Sequence, residues 1–185
     1  MASEIDRMLE ANEQWAQRFP GSKPVRPARA VAVVACMDSR MPLFQMLGLE
    51  VGDAHVIRNA GGVITEDTIR SLTVSQHLLG TREILLVHHT ECGLQATDDR
   101  TFADRVEKAT GRRPFWSLGA FTDAEEDVRE SIKLIRDCPY LISHKVRGTV
   151  YDVGTGHLRE IKDPAAPHRS QARGGPLQQG QESGA

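Results

Sequence analysis

Two short runs carry residues whose types could do chemistry together. The first, Val31 to Arg40, reads VAVVACMDSR; the second, Leu85 to Gly93, reads LLVHHTECG. Each is an apolar, β-branched stretch that stops abruptly at groups able to bind metal. Cys36 closes the first, and His89 and Cys92 close the second. Two thiolates and one imidazole make a ligand set that suits zinc. A structural zinc site takes four protein ligands; three leave one position for water, which is the arrangement of a catalytic zinc. One zinc per chain is therefore expected.

Asp38 and Arg40 follow Cys36 at two-residue spacing. Residues two apart point to the same side of an extended chain, so Asp38 can stand beside a metal-bound water while Cys36 holds the metal. Arg40, always charged, can hold the Asp38 carboxylate in a two-pronged pair. The ionised Asp38 then accepts a hydrogen bond from the water and orients it. If Arg40 lets go, Asp38 can swing in as a fourth ligand and block the site. Zinc with an open position lowers the pKa of its water from about 15.7 toward about 7. The resulting zinc hydroxide can attack a small electrophilic carbon. The small residues Ala60, Gly61 and Gly62 suggest a small substrate met by backbone.

The elements that must position these groups follow from periodicity. Residues 1–19 show an amphipathic helical pattern, and 19–28 (FPGSKPVRPA) form an extended linker. Residues 30–36 are expected as a strand buried on both faces, 54–58 as a second and 83–88 as a third. Helices are expected over 41–49, 65–79, 102–110 and 122–137, the last opened by a Thr122/Glu125 capping box. A strand over 146–153 and a short one over 157–161 complete the pattern. Strands separated by helices imply an α/β fold with a mainly parallel sheet flanked by helices. In such sheets ligands bind beyond the carboxyl ends of the strands, where Cys36, His89 and Cys92 stand. The expected organisation is a helical arm and linker over 1–28, a catalytic domain over 29–162 and a disordered tail over 163–185.

Composition narrows the function classes. A net charge of -2 does not suggest a nucleic-acid binder. No apolar run approaches the roughly 18 residues of a membrane span. The acidic, polar start MASEIDRMLEANEQW does not read as a secretory signal, and three cysteines without one argue for thiols in a reducing, cytoplasmic setting. His88 points away from His89 and reads as a core histidine. Cys138 reads as a free thiol without a role, Asp67 as a helix-dipole residue, and Arg58 and Asn59 as residues of the cleft or of a turn. His55 is the nearest proton-shuttle candidate among the other histidines.

At these residues the sequence resembles the β-class carbonic anhydrases, in their short, archaeal- and actinobacterial-like branch. CMDSR, RNAGG and HTECG match three family blocks in the family's order, within a resemblance running from about Val31 to Ile161. The resemblance implies zinc on Cys36, His89 and Cys92, an Asp38–Arg40 catalytic dyad, and reversible hydration of carbon dioxide to bicarbonate and a proton. It implies four parallel strands with an antiparallel addition. It also implies a homo-oligomer, dimer or tetramer, whose N-terminal helix reaches across to the partner. The chain departs from many members in lacking a Gln before the first strand. The hydrogen bond that this residue gives the substrate is expected instead from Lys23, from backbone at Gly62, or from water.

Three other functions stand beside this one. A related zinc hydrolase would act on carbonyl sulfide or carbon disulfide. A non-enzymatic zinc-binding scaffold would use a fourth ligand. A Cys36 nucleophile with Arg40 as anion binder would leave His89 and Cys92 unexplained.

Overall fold

The apolar run Val31–Cys36 forms strand β1, an interior strand of a five-stranded sheet. The structure, a computed structural model, describes residues 2–162. In chain order the elements are α1 (Glu4–Ala16), β1 (Val31–Cys36), α2 (Leu43–Met46), β2 (Ala54–Asn59), α3 (Glu66–His77), β3 (Glu83–His89), α4 (Asp99–Thr110), α5 (Ala124–Asp137), β4 (Lys145–Tyr151) and β5 (Leu158–Glu160). The strand order is β2-β1-β3-β4-β5. The first four strands are parallel and β5 runs antiparallel to β4. This is the α/β sheet expected from the sequence, with its antiparallel addition.

Register brings the chemistry to one end. Cys36 pairs with Asn59 at the close of β1 and β2, Ala35 with Val87, and His89 with Tyr151. All of these lie at carboxyl ends of parallel strands.

The two faces of the sheet are covered unequally. On one, Leu72 of α3 and Val128, Ile132 and Ile135 of α5 pack on Ala32, Val34, Ile84, Leu86, Val146 and Val150. Helix α5 can approach this closely because Gly148 lacks a side chain. A Cβ there would stand 2.2 Å from Val128 Cγ1. On the other face, Val33, Ala35 and Val87 cluster with Met41 and Leu43 from around α2 and with Cys92, Leu94, Phe121 and Tyr151, without a long helix among the cluster's residues. Helix α1 buries no residue.

Several boundaries differ from the sequence expectation for identifiable reasons. The helix expected over 41–49 is a single turn, Leu43–Met46, cut short by Pro42 at its start and by Gly48 at φ 58. The cap of α5 is Asp123, whose carboxylate accepts from Glu125 N and Glu126 N, in place of the Thr122/Glu125 box. Helix α4 begins at Asp99, capped by Asp98. The segment after β2 is a 3-10 turn, Ala60–Gly62. Among the described residues no helix is long and apolar enough to cross a membrane. The tail 163–185 lies outside the described residues.

Candidate metal centre

Where β1 and β3 end, Cys36, His89 and Cys92 converge. Their ligand atoms all lie within 4.8 Å of one another, and all three residues are buried. The histidine is prepared for a ligand on one nitrogen. Its Nδ1 faces Thr90 O at 2.8 Å, which sets the Nδ1–H tautomer. Its Nε2 is buried without a hydrogen-bond partner. A buried polar atom left unpaired costs free energy unless something binds it. An unpaired imidazole nitrogen facing two thiols fits a zinc ion.

The electrostatics agree. The Cys36 thiol is held well below the ordinary range because Cys92 donates to it and the His89 ring lies beside it, against the cost of burial. Cys92, as that donor and itself buried, is pushed up. Burial opposes charge on His89, yet the Cys36 thiolate raises its pKa overall. The chain thus stores protons on sulfur and nitrogen that a metal would displace.

Asp38 stands at the edge of this cluster, its Oδ2 3.7 Å from His89 Nε2. Arg40 grips it in the expected two-pronged pair: Nε donates to Oδ1 at 3.0 Å and Nη2 to Oδ2 at 2.8 Å, and the Arg40 backbone N–H adds a bond to Oδ1 at 2.8 Å. These bonds hold the Asp38 carboxyl far below the usual carboxylate range.

The structure adds two groups that the sequence reading missed, Glu91 and Gln95, and gives Arg58, read only as a residue of the cleft or of a turn, its partners. Arg40 also reaches the second metal-bearing loop, donating from Nη1 to Glu91 Oε2 at 3.2 Å and from Nη2 to Glu91 O at 3.1 Å. Glu91 itself sits at φ 56, unusual for a residue with a side chain. Gln95 accepts from the Cys92 backbone N–H at 3.2 Å and donates to Thr122 O at 3.1 Å, fixing the Cys92 turn. Arg58 donates to two carbonyls of the Cys36–Asp38 segment. The Arg40–Glu91, Gln95–Thr122 and Arg58 contacts join distant stretches of chain, so no local spacing could have signalled them; the Gln95–Cys92 bond is local.

Gly61 and Gly62 belong to the scaffold of the centre. Both have positive φ, 77° and 75°. A Cβ on Gly62 would lie 2.9 Å from Cys36 N and 3.1 Å from Ala35 C, and one on Gly61 would lie 2.5 Å from Leu94 Cδ1. Only glycine lets this turn close on β1.

Other expectations change. His55 bonds Ser75 Oγ at 2.7 Å and pairs with Ala32, four residues before the site end of β2. At about 3.3 Å per residue this is too far for a shuttle to the metal centre. Lys23 packs its stem against Gly52, before the amino end of β2, and so cannot supply the substrate donor within the chain. His88 is fully buried, as expected of a core histidine, and its Nε2 lies 2.5 Å from Asp127 Oδ2. Cys138 is buried and free. Asp67 pairs with Arg70 on the first turn of α3.

A parallel α/β sheet with a soft-ligand cluster and a carboxylate–guanidinium pair at its carboxyl end defines a metalloenzyme scaffold. The carbonic anhydrase family profile matches residues 31–158. Beta-carbonic anhydrase 1 of Mycobacterium tuberculosis is 48% identical over 157 residues, covering 84% of this chain and 96% of that protein. A carbon disulfide hydrolase of Acidianus is 43% identical over 187 residues, covering 86% and 90%. The crystal structure of carbonic anhydrase from Streptococcus mutans superposes with a TM-score of 0.83 at 39% identity, covering 88% of this chain and 99% of that one. The chain belongs to the β-carbonic anhydrase family.

Proposed function

We propose that the protein catalyses the reversible hydration of carbon dioxide to bicarbonate and a proton, with Cys36, His89 and Cys92 as the zinc ligands. The observation that carries this reading is the convergence of those three ligand atoms within 4.8 Å, with the Asp38 carboxylate 3.7 Å from His89 Nε2. Zinc bound there supplies a Lewis acid that makes water acidic enough to yield a nucleophile near neutral pH.

The chain's own groups do the rest. Asp38, kept ionised by Arg40, can only accept a hydrogen bond, so it orients a water's lone pair away from itself and toward the substrate. Arg40 holds Asp38 and the Glu91 turn together, so the two ligand-bearing loops keep one geometry. The turn Gly61–Gly62 brings backbone against the end of β1, beside the Cys36 ligand.

The working form is a homo-oligomer, dimer or tetramer. Helix α1 exposes Ile5, Met8, Leu9 and Trp15 and is followed by exposed Phe19, while Met37 and Phe44 beside the site are exposed too. Large apolar side chains exposed along one helix are what a protein–protein surface would cover. Three free cysteines favour a reducing, cytoplasmic setting.

Stopped-flow carbon dioxide hydration on the zinc-loaded protein, across pH, tests the reading. Activity rising with pH is the expected result. Zinc-loaded protein that is inactive on carbon dioxide but releases hydrogen sulfide from carbon disulfide would replace it with the hydrolase reading.

A further inference from the structure

The ladder between β1 and β2 ends with Met37 N donating to Asn59 O at 2.8 Å. Beyond it the segment that carries Asp38 has no strand beside it. One side chain takes the place of a strand. Arg58, on β2 opposite Ala35, donates from Nε to Cys36 O at 2.9 Å and from Nη2 to Asp38 O at 2.6 Å. The planar guanidinium fork thus bridges the carbonyl of a metal ligand and that of the catalytic carboxylate.

This matters because Asp38 has two places to go. Its Oδ2 lies 2.8 Å from Arg40 Nη2 and 3.7 Å from His89 Nε2. A modest rotation of the Met37–Asp38 backbone would carry the carboxylate from the arginine to the metal position. Arg40 holds the carboxylate itself, but Arg40 is half exposed and part of the same turn. It can move with Asp38. Arg58 is anchored on a different strand and fixes the backbone from outside the turn.

We propose that Arg58 is a positioning residue of the metal centre, clamping the Cys36 and Asp38 carbonyls so that the Asp38 carboxylate stays on Arg40 and off the metal. The proposal rests on the zinc reading above.

It predicts an effect opposite in sign to simple damage. A loosened site sheds its metal sooner. A site in which Asp38 becomes a fourth ligand holds its metal longer. We would load wild type, Arg58→Met, Arg58→Lys, Asp38→Ala and the Arg58→Met/Asp38→Ala double variant with zinc. Release would then be followed to a chromophoric chelator. Wild type should carry one zinc per chain. Arg58→Met should release it more slowly, by about tenfold, the reverse of the roughly 10–100-fold weaker binding that follows loss of a residue that only orients a metal ligand, and should lose carbon dioxide hydration. Arg58→Lys, with one ammonium in place of a fork, should fall between. In the Asp38→Ala background the Arg58 substitution should no longer slow release. Release from Arg58→Met at the wild-type rate or faster overturns the proposal, as does slowing that persists without Asp38. If Arg58→Met does not fold, Arg58→Lys is read by the same criterion. A wild-type chain that takes up no zinc overturns the metal reading itself, and this proposal with it.

Discussion

Asp38 is the residue whose surroundings best separate metal binding from turnover. It is outside the ligand cluster but 3.7 Å from one of its atoms. Asp38→Ala should therefore keep about one zinc per chain and lose turnover on the order of 10²-fold, the range for a misplaced proton-handling group. Metal analysis alongside stopped-flow kinetics checks both halves, and full activity in the variant would remove Asp38 from the mechanism. Its charge has a second consequence. Arg40 holds the carboxyl below the unfolded value near 3.9. A lowered folded pKa stabilises the fold above the unfolded pKa, and that contribution is lost only as pH falls through the folded value. Arg40 is half exposed, so the contribution is small. Carbon-13 NMR of the metal-free chain should show Asp38 still ionised at pH values where free carboxylates have protonated. In Arg40→Met, which keeps only the backbone bond from residue 40, it should titrate nearer to them.

The strands and helices divide into those that the sequence states and those that the tertiary structure decides. Strands β1 and β3 were legible because they are buried on both faces and so read as unbroken apolar runs. Their terminal Cys36, His89 and Cys92 stand out because nothing apolar explains them. Helix α5 was legible from its stripe of Val128, Ile132 and Ile135, but its cap was not, since Thr122 and Asp123 are both capable residues and only the backbone chooses. Glu91 and Gln95 were not legible as parts of the centre, and Arg58 only as a residue of the cleft or of a turn. The partners of Arg58 and Glu91 lie far along the chain, and an arginine before a turn looks the same whether it clamps a backbone or faces solvent. Two glycines test how elements support the site. Gly148→Ala pushes a Cβ into Val128 and should cost about 1–3 kcal/mol in urea unfolding while leaving zinc content intact. Gly62→Ala strains a positive φ and strikes the Cys36 backbone, so it should lose zinc as well. Equal zinc in the two variants would show that the turn does not shape the centre.

For the whole molecule, the uneven covering of the sheet is the informative feature. Helices α3 and α5 close one face, whereas the other is covered by the short α2 with its flanking loops and by loop residues such as Leu94, Phe121 and Val153. The arm α1 carries apolar residues and buries none of them. A chain that folded to act alone would have little use for such an arm. Deleting residues 1–19 should convert the proposed oligomer to smaller species in analytical ultracentrifugation at micromolar concentration. The sheet's circular dichroism should persist, because no residue of α1 contributes to its core. An unchanged sedimentation coefficient per subunit mass would place the contacts elsewhere.

The sulfurs of Cys36 and Cys92 lie within 4.8 Å of each other, which makes the metal centre, without its ion, a dithiol. Zinc then acts as a guard as well as a reagent. Oxidised glutathione should join the two bare thiols into a disulfide and leave as two glutathione thiols. The protein would forfeit two ligands in one event. Exposed to that reagent, the metal-free chain should lose two of its three titratable thiols and refuse zinc until reduced, leaving Cys138, outside the cluster, with no second thiol to pair with. The zinc-loaded chain should keep all three. The protein's working life would then be set by how promptly each new chain meets its metal, as much as by how well it folds.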